Sequence, residues 1–333
     1  GSFRNRGEGL NLSVESPGFS FGKYYFNNIN LNALIREKDW TINLLGAKCI
    51  YDDSAIIENI SLNQLGSYGA SNYVLNWESS DSIKFEGDLK GLVNMDNTSL
   101  KVVLDESQFY FADTLWTLKD SSYFNYFNGK INSQASVSTV SQDVSFNFIS
   151  NGIIDTVNLA LNHFEMANIS PWLSLVNSSL KGTVNGDVFI LSDSLNNKLY
   201  SQIITSNLVL NDSDFGALNL SFDYDDTLNI QVLQGQSIKD DKKALEFSGH
   251  YNSLVDSNNM QIFIDINDFN LNHINTYLPF LDPLTGLSSG YLNLYGNISE
   301  PKFEGEFVAE EVYLTVPYLN VDFKTIGESN IRL

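Results

Sequence analysis

One cysteine, three histidines, three methionines and six prolines are all that 333 residues contain of those types. The lone Cys49, inside LLGAKCIY, excludes a disulfide framework and reads as a small buried apolar side chain on a strand. It leaves an oxidising compartment open. His163, His250 and His273 have no metal-ligand spacing to one another or to Cys49, which argues against a zinc site. Positive charge is scarce: 19 Lys and Arg stand against 40 Asp and Glu, a formal charge of −21. That field repels nucleic-acid phosphates and anionic lipid surfaces alike, so no nucleic acid is expected as a partner. No run of 18 apolar residues exists from which to build a membrane-spanning helix. Phosphate loops, nucleophile elbows and dinucleotide fingerprints are missing, so no cofactor is expected. The start shows no signal-peptide pattern, Gly1-Ser2 reads as a cloning remnant, and Leu333 falls within a strand-like run. The chain is therefore expected to be a piece of something longer.

What the chain has is alternation. At 43% hydrophobic and 13% aromatic it can build ordered structure, yet it is too long for one ordinary core. Two or three domains or one elongated repeat are expected. Residues 3 to 26 read as an irregular lead-in and one strand, Phe19 to Phe26, and Asn30 as the cap of a short helix from Leu31 to Lys38. From Asp39 onward short apolar/polar runs recur about every ten residues, separated by Asn, Ser, Asp and Gly clusters. Leu100, Val102 and Leu104 share a face, as do Val144, Phe146 and Phe148, then Leu218, Leu220 and Phe222, then Ile262, Ile264 and Ile266. The positions between them are mostly polar, so one wall is apolar and the other wet.

The chain also repeats itself. Leu180, Gly182, Gly186, Val188 and Ile190 match Leu284, Gly286, Gly290, Leu292 and Leu294 at an offset of 104, and Leu208 and Leu210 match Val312 and Leu314 likewise. Upstream the offset is 105, pairing Leu159, Leu161, Phe164, Ile169, Trp172 and Leu173 with Ile264, Ile266, Phe269, Ile274, Tyr277 and Leu278. Two stretches interrupt the alternation, Ile169 to Val176 and Ile274 to Leu281, each a candidate helical turn. Trp172, Leu173, Tyr277 and Phe280 either fill core there or narrow and plug a groove. The acidic pairs Asp52-Asp53, Asp225-Asp226, Asp240-Asp241 and Glu310-Glu311 could in principle serve a glycosidase or bind calcium. They fall in or beside turns without EF-hand spacing and read as solvated turn residues, so no catalytic residue is assigned.

A strand ending in glycine, a polar link, proline, an aromatic and another glycine (Gly290, Gly296, Pro301, Phe303, Gly305) resembles the TamB family of envelope proteins. The tail VYLTVPYLNVDF, Val312 to Phe323, looks like the same family's repeat ending, and so does the Gly182/Gly186 copy. The resemblance covers Val144 to Phe323 by motif and the first 140 residues by β pattern only. It implies an all-β fold, an elongated U-shaped sheet known as the β-taco of AsmA-like and bridge-like lipid-transfer proteins. It also implies a periplasmic place between inner and outer membranes, tethered to the inner membrane by an anchor outside this chain. The implied work is conduction of phospholipids or assembly of outer-membrane proteins with an Omp85-type barrel, without enzymatic chemistry. On this reading residues 1–140 form the first part of one module, 141–243 repeat copy one and 244–333 copy two.

The residue pattern supports a trough on its own terms. About 25 strands at ~4.8 Å would give a sheet on the order of 100 Å long. Phospholipid acyl chains would then lie on Leu100, Val102, Leu104, Phe146, Phe148, Leu159, Leu161, Val188, Ile190, Leu208, Leu210, Leu218, Leu220, Phe222, Ile262, Ile264, Ile266, Leu292, Leu294, Val312 and Leu314. Two other readings stay open: a chaperone that pairs client strands at an edge, and a secreted β-solenoid, adhesin or polysaccharide-active, whose apolar faces close into a dry core.

Overall fold

A computed structural model describes the chain apart from residues 1, 7–8, 23, 52–53, 80–83, 170–178, 195, 212, 227–229, 240–241, 253–258, 274–282, 298, 320, 326 and 333. The described residues are almost wholly strand, and every described strand pairing is antiparallel. Two compact units divide the chain, Gly1–Leu159 and Ala160–Leu333.

The first unit begins with the short β1 (Ser2–Arg6) and continues with longer strands joined in sequence: β2 (Gly9–Phe21), β3 (Tyr24–Arg36), β4 (Asp39–Tyr51), β5 (Ser54–Ser67), β6 (Ala70–Ser79) and β7 (Gly87–Met95). Then the strands shorten: β8 (Ser99–Leu104), β9 (Ser107–Phe111), β10 (Thr114–Leu118) and β11 (Tyr123–Phe127), followed by β12 (Lys130–Ser138) and β13 (Asp143–Ser150). Between β7 and β12 the short strands share one slot. β8 and β11 pair along one half of it, and the β9–β10 hairpin meets β7 at Gly87 and β12 at Val137 and Ser138 in the other. Where the short strands stop, serines take over the orphaned backbone donors. Ser107 Oγ accepts from Lys90 N at 3.0 Å, and the fully buried Ser122 Oγ accepts from Ser136 N at 3.1 Å.

β14 (Ile154–Glu165) straddles the division at residue 159 and runs into a 3-10 turn, Met166–Ile169. The second unit continues with β15 (Leu180–Asp193), β16 (Asn197–Leu210), β17 (Ser213–Asp225), β18 (Ile230–Lys239), β19 (Lys242–Asn252), β20 (Met260–Asn270), β21 (Leu284–Asn297) and β22 (Glu300–Val316). From β15 to β22 each strand pairs with the next. β22 then carries both β23 (Val321–Lys324) and β24 (Glu328–Arg332) on its far side. Turn chemistry sets the hairpins. Asp96, Asn151, Asp193 and Asn297 each fold a side-chain oxygen back onto a backbone N–H two or three residues on.

Four sequence expectations change. The helix expected from Leu31 to Lys38 is the second half of β3: Leu31, Ala33 and Ile35 stand opposite Leu44, Ile42 and Trp40 and also opposite Val14, Leu12 and Leu10. Apolar neighbours on both sides reward period two over a helical stripe. The single strand expected from Phe19 to Phe26 is a hairpin that stacks those two rings at 5.0 Å. The irregular lead-in is strand. The separate strands expected at Phe303–Val308 and Val312–Val316 are one, β22, kinked at Glu311.

Candidate functional site: the apolar sheet faces

Side chains directly opposite each other in antiparallel strands share a face, so register decides which predicted residues come together. In the second unit one row crosses eight strands: Gly186, Ile203, Leu220, Gly235, Phe247, Ile264, Leu292 and Gly305. The row beside it reads Val188, Ser201, Phe222, Leu233, Gly249, Ile262, Leu294 and Phe303. The other face at the same level carries Gln202, Ser221, Gln234 and Ser248, followed by Phe263, stacked on Tyr291. Within this unit the predicted apolar positions therefore form one wall across the hydrogen-bonded strands.

Two predicted pairs reach that wall only because the backbone is bent. Ile203 and Thr205 occupy odd positions on β16, whereas Leu208 and Leu210 are even and would point to the wrong side of a regular strand. Asn207 sits at φ 52° and bulges the strand, so Leu210 comes opposite Leu180 on the apolar wall. Glu311, at φ 50°, does the same on β22 and returns Val312 and Leu314 to the side of Phe307 and Ala309. Opposite these bulges lie Gly182 (φ 118°) and Gly286 (φ 122°). A Cβ there would stand 2.7 Å from the Asn207 carbonyl oxygen or 2.8 Å from that of Glu310, so glycine is required at both. A third reset, Asp268 at φ 50° on β20, turns Phe269 onto the wall beyond Ile266.

These bends expose a copy that apolar matching alone misses. Asn59, His163 and Asp268 are left-handed residues 104 and 105 positions apart, in the settings Ile57-Glu58-Asn59-Ile60, Leu161-Asn162-His163-Phe164 and Ile266-Asn267-Asp268-Phe269. His163 N donates to Asn185 Oδ1 and Asp268 N to Ser289 Oγ, both at 2.9 Å, and the two acceptors are themselves 104 apart. The legible signal is a pair of polar residues between apolar ones, the second of a type tolerant of positive φ.

In the first unit Leu100, Val102 and Leu104 stand opposite Met95, Val93 and Gly91, and Leu100 and Val102 also stand opposite Tyr126 and Phe124. Val144, Phe146 and Phe148 stand opposite Val137, Ala135 and Ser133 on the face of Phe124. Leu159 and Leu161 alternate with the exposed Asn158 and Asn162 on β14. The plug candidates Trp172, Leu173, Tyr277 and Phe280 lie outside the described residues.

How the walls are covered matters more than their composition. Among the predicted wall residues only Val312 is buried, at 7% exposure, and Phe146 is exposed at 40%; all the others are half-buried. Val312 packs with Leu284 and Ala309, with Leu271 and Leu314 against them, a small dry cluster at one end of the strands. A second packed layer would have driven the whole set into the buried class. A cavity of about 710 Å³ in the second unit draws on both faces: the wall residues Ile203, Leu220 and Phe247 line it together with Ile204 and Phe263. Gln202, Asn219, Gln236, Glu246 and Asp265 add amides and carboxylates to that lining. Elsewhere the chemistry is quiet. Burial pushes the Cys49 thiol up, away from reactivity. Among the described residues no group of three His, Cys, Asp or Glu side chains is placed to hold a metal ion, and no helix is long and apolar enough to cross a membrane.

The family model described as TamB, N-terminal domain, matches residues 9–309, including residues 9–140, for which the sequence offers only β pattern. No curated protein and no solved structure matches the chain. With nearly its whole length inside that match, the protein belongs to the TamB family of cell-envelope proteins.

Proposed function

We propose that the apolar wall conducts phospholipids between the inner and outer membranes, holding acyl chains on the sheet and leaving headgroups to water. The observation that carries this reading is the half-burial of the aligned wall, from Val188 and Phe222 through Ile264 to Leu294, without a facing protein layer among the described residues. Hydrating two acyl chains costs roughly 0.8 kcal/mol per CH2, on the order of 20 kcal/mol per lipid. A continuous hydrocarbon surface offsets most of that at every step, and no covalent chemistry is needed. The alternating polar face, with its many Asn, Gln and Ser side chains, keeps the outside wetted. On this reading the working protein is periplasmic, tethered to the inner membrane by an anchor outside this chain, and delivers to an Omp85-type barrel. The closed solenoid reading loses ground, because a dry interior would bury these residues.

The test uses Ile264 and Leu292, which stand directly opposite each other. Replacing both with Asp places two carboxylates in mid-wall, where desolvating a charge is strongly unfavourable. Transfer of fluorescent phospholipid between vesicles should fall by about tenfold or more, and phospholipid detected by mass spectrometry in the purified protein should fall with it. Strand content by circular dichroism should hold. Unchanged transfer, or co-purifying peptide in place of lipid, would move the assignment to the assembly role.

A further inference from the structure

At the end of the strands where Phe269 carries the apolar wall to its limit, a cavity of about 330 Å³ opens. His273 follows β20 in a single 3-10 turn at 271–273 and is 9% exposed. Its ring lies 5.2 Å from that of Phe215 and 5.5 Å from that of Phe269, the latter edge-on. Around this aromatic floor stand charges of both signs. Lys239 Nζ donates to the Asp214 backbone oxygen at 3.1 Å and lies 3.2 Å from its carboxylate; Lys242 Nζ is 3.7 Å from the Asp268 carboxylate. Ser237 Oγ is spent on the Phe215 carbonyl oxygen at 2.6 Å, and Gly216 N on Asp214 Oδ1 at 2.9 Å.

We propose that this pocket binds the headgroup of a zwitterionic phospholipid, whose chains lie along the wall from Phe269 past Ile266 and Ile264. The inference rests on the conduit reading. Its volume lies at the lower end of the range of small-molecule sites. The phosphodiester takes N–H donors from Lys239 and Lys242, and the headgroup ammonium takes the carboxylates of Asp214 and Asp268 and the face of Phe215. Each lysine and each aspartate exchanges one partly exposed ion pair for another, and such pairs contribute little in water. A purely anionic headgroup meets the same two carboxylates in a chain of charge −21, and a free phosphate lacks the chains that the wall would hold. The matching turn in the preceding copy places the buried Asn168 where His273 stands, so the pocket belongs to the last copy.

The three histidines make the test direct, because ring NMR resonances of His163, His250 and His273 are assignable by single His→Gln variants. Dihexanoyl phosphatidylethanolamine should shift the His273 resonances and leave those of His163 and His250 in place. Dihexanoylglycerol, followed by native mass spectrometry, should bind the protein without that shift. Lys239→Gln with Lys242→Gln should weaken phosphatidylethanolamine binding by about tenfold and leave dihexanoylglycerol binding unchanged, while Lys239→Arg should retain it. A His273 that ignores the lipid, or responds equally to dihexanoylglycerol, overturns the headgroup site and leaves the conduit standing. So does equal binding of phosphoethanolamine alone or of dihexanoyl phosphatidylglycerol, or indifference to the lysine variants. If dihexanoylglycerol itself does not bind, both the conduit and the headgroup site fall.

Discussion

The two units use the same alternation and arrive at different burial. In the first, the short strands around β9 and β10 close on themselves: Trp116 is 2% exposed and Leu118 5%, with Trp77 and Phe109 packed beside them at 6.4 Å between rings. In the second, strands of ten to seventeen residues run side by side in sequence order, and the wall stays half-buried until the cluster of Leu284, Ala309 and Val312 at one end. Composition does not separate these outcomes. Pairing does: Trp77, Gly87, Phe109 and Trp116 form one row across β6, β7, β9 and β10, setting three large rings around a glycine.

That contrast can be broken most directly by truncation. Trp116→Ala should destabilise the first unit by about 3–5 kcal/mol, read by urea unfolding. Leu220→Ala on the open wall should cost less than about 1.5 kcal/mol, because a half-buried side chain has less to lose. Equal losses would mean that the second wall is as closed as the first. Next in size, Gly286→Ala should cost about 1–3 kcal/mol from its left-handed φ and the crowding of the Glu310 carbonyl. Gly129→Ala, in a turn of the first unit with open space around it, should lose less although its φ is also positive.

The smallest effects are titrations, and they separate the units by pH. Desolvation first, then Lys239, holds the His273 pKa below its ordinary 6.5, against the opposing pull of Asp214. The unfolded chain therefore takes up the proton first, and stability should decline as pH falls below about 6.5, down through the lowered folded value. Lys242 and Asp268 face the same cavity. His273→Gln should remove this slope. In the first unit Asp96 is held at about 2 by hydrogen bonds from Ser99 Oγ, Thr98 N and Ser99 N. Its contribution is present above the usual carboxylate value near 3.8 and is lost as pH falls toward 2. Asp96→Ala should then weaken the protein at neutral pH and make no difference below pH 2. A single acid transition unaffected by either variant would erase the distinction.

How much of this was legible depends on which physical cause wrote it. The wall positions on β17, β20 and β21 could be read because period-two alternation is stated residue by residue in Leu218–Phe222, Ile262–Ile266 and Leu292–Leu294. The return of Leu210 and Leu314 to that wall could be read only as an offset, since its cause is one left-handed residue with no special side chain at Glu311. Strands β11 and β12 are harder to read in the sequence for a different reason. Tyr123–Phe127 is aromatic on both faces, and Lys130–Ser138 packs its wall with Ala135 and Ser133 in place of large aliphatics. The copy at Asn59 is hard to read because the first unit's glycine pair, Gly87 and Gly91, lies off the 104-residue offset. Leu31, Leu34 and Ile35 have helical spacing, yet the apolar strands on both sides of β3 hold the segment extended.

The bulges at Asn207, Asp268 and Glu311 have a consequence for how such a chain can change over generations. A plain strand tolerates only even insertions, since one added residue inverts everything downstream. A joint that already absorbs an odd residue lets spacing drift between 104 and 105 while each lipophilic surface keeps its aspect. Lengthening by duplication is thereby freed from counting.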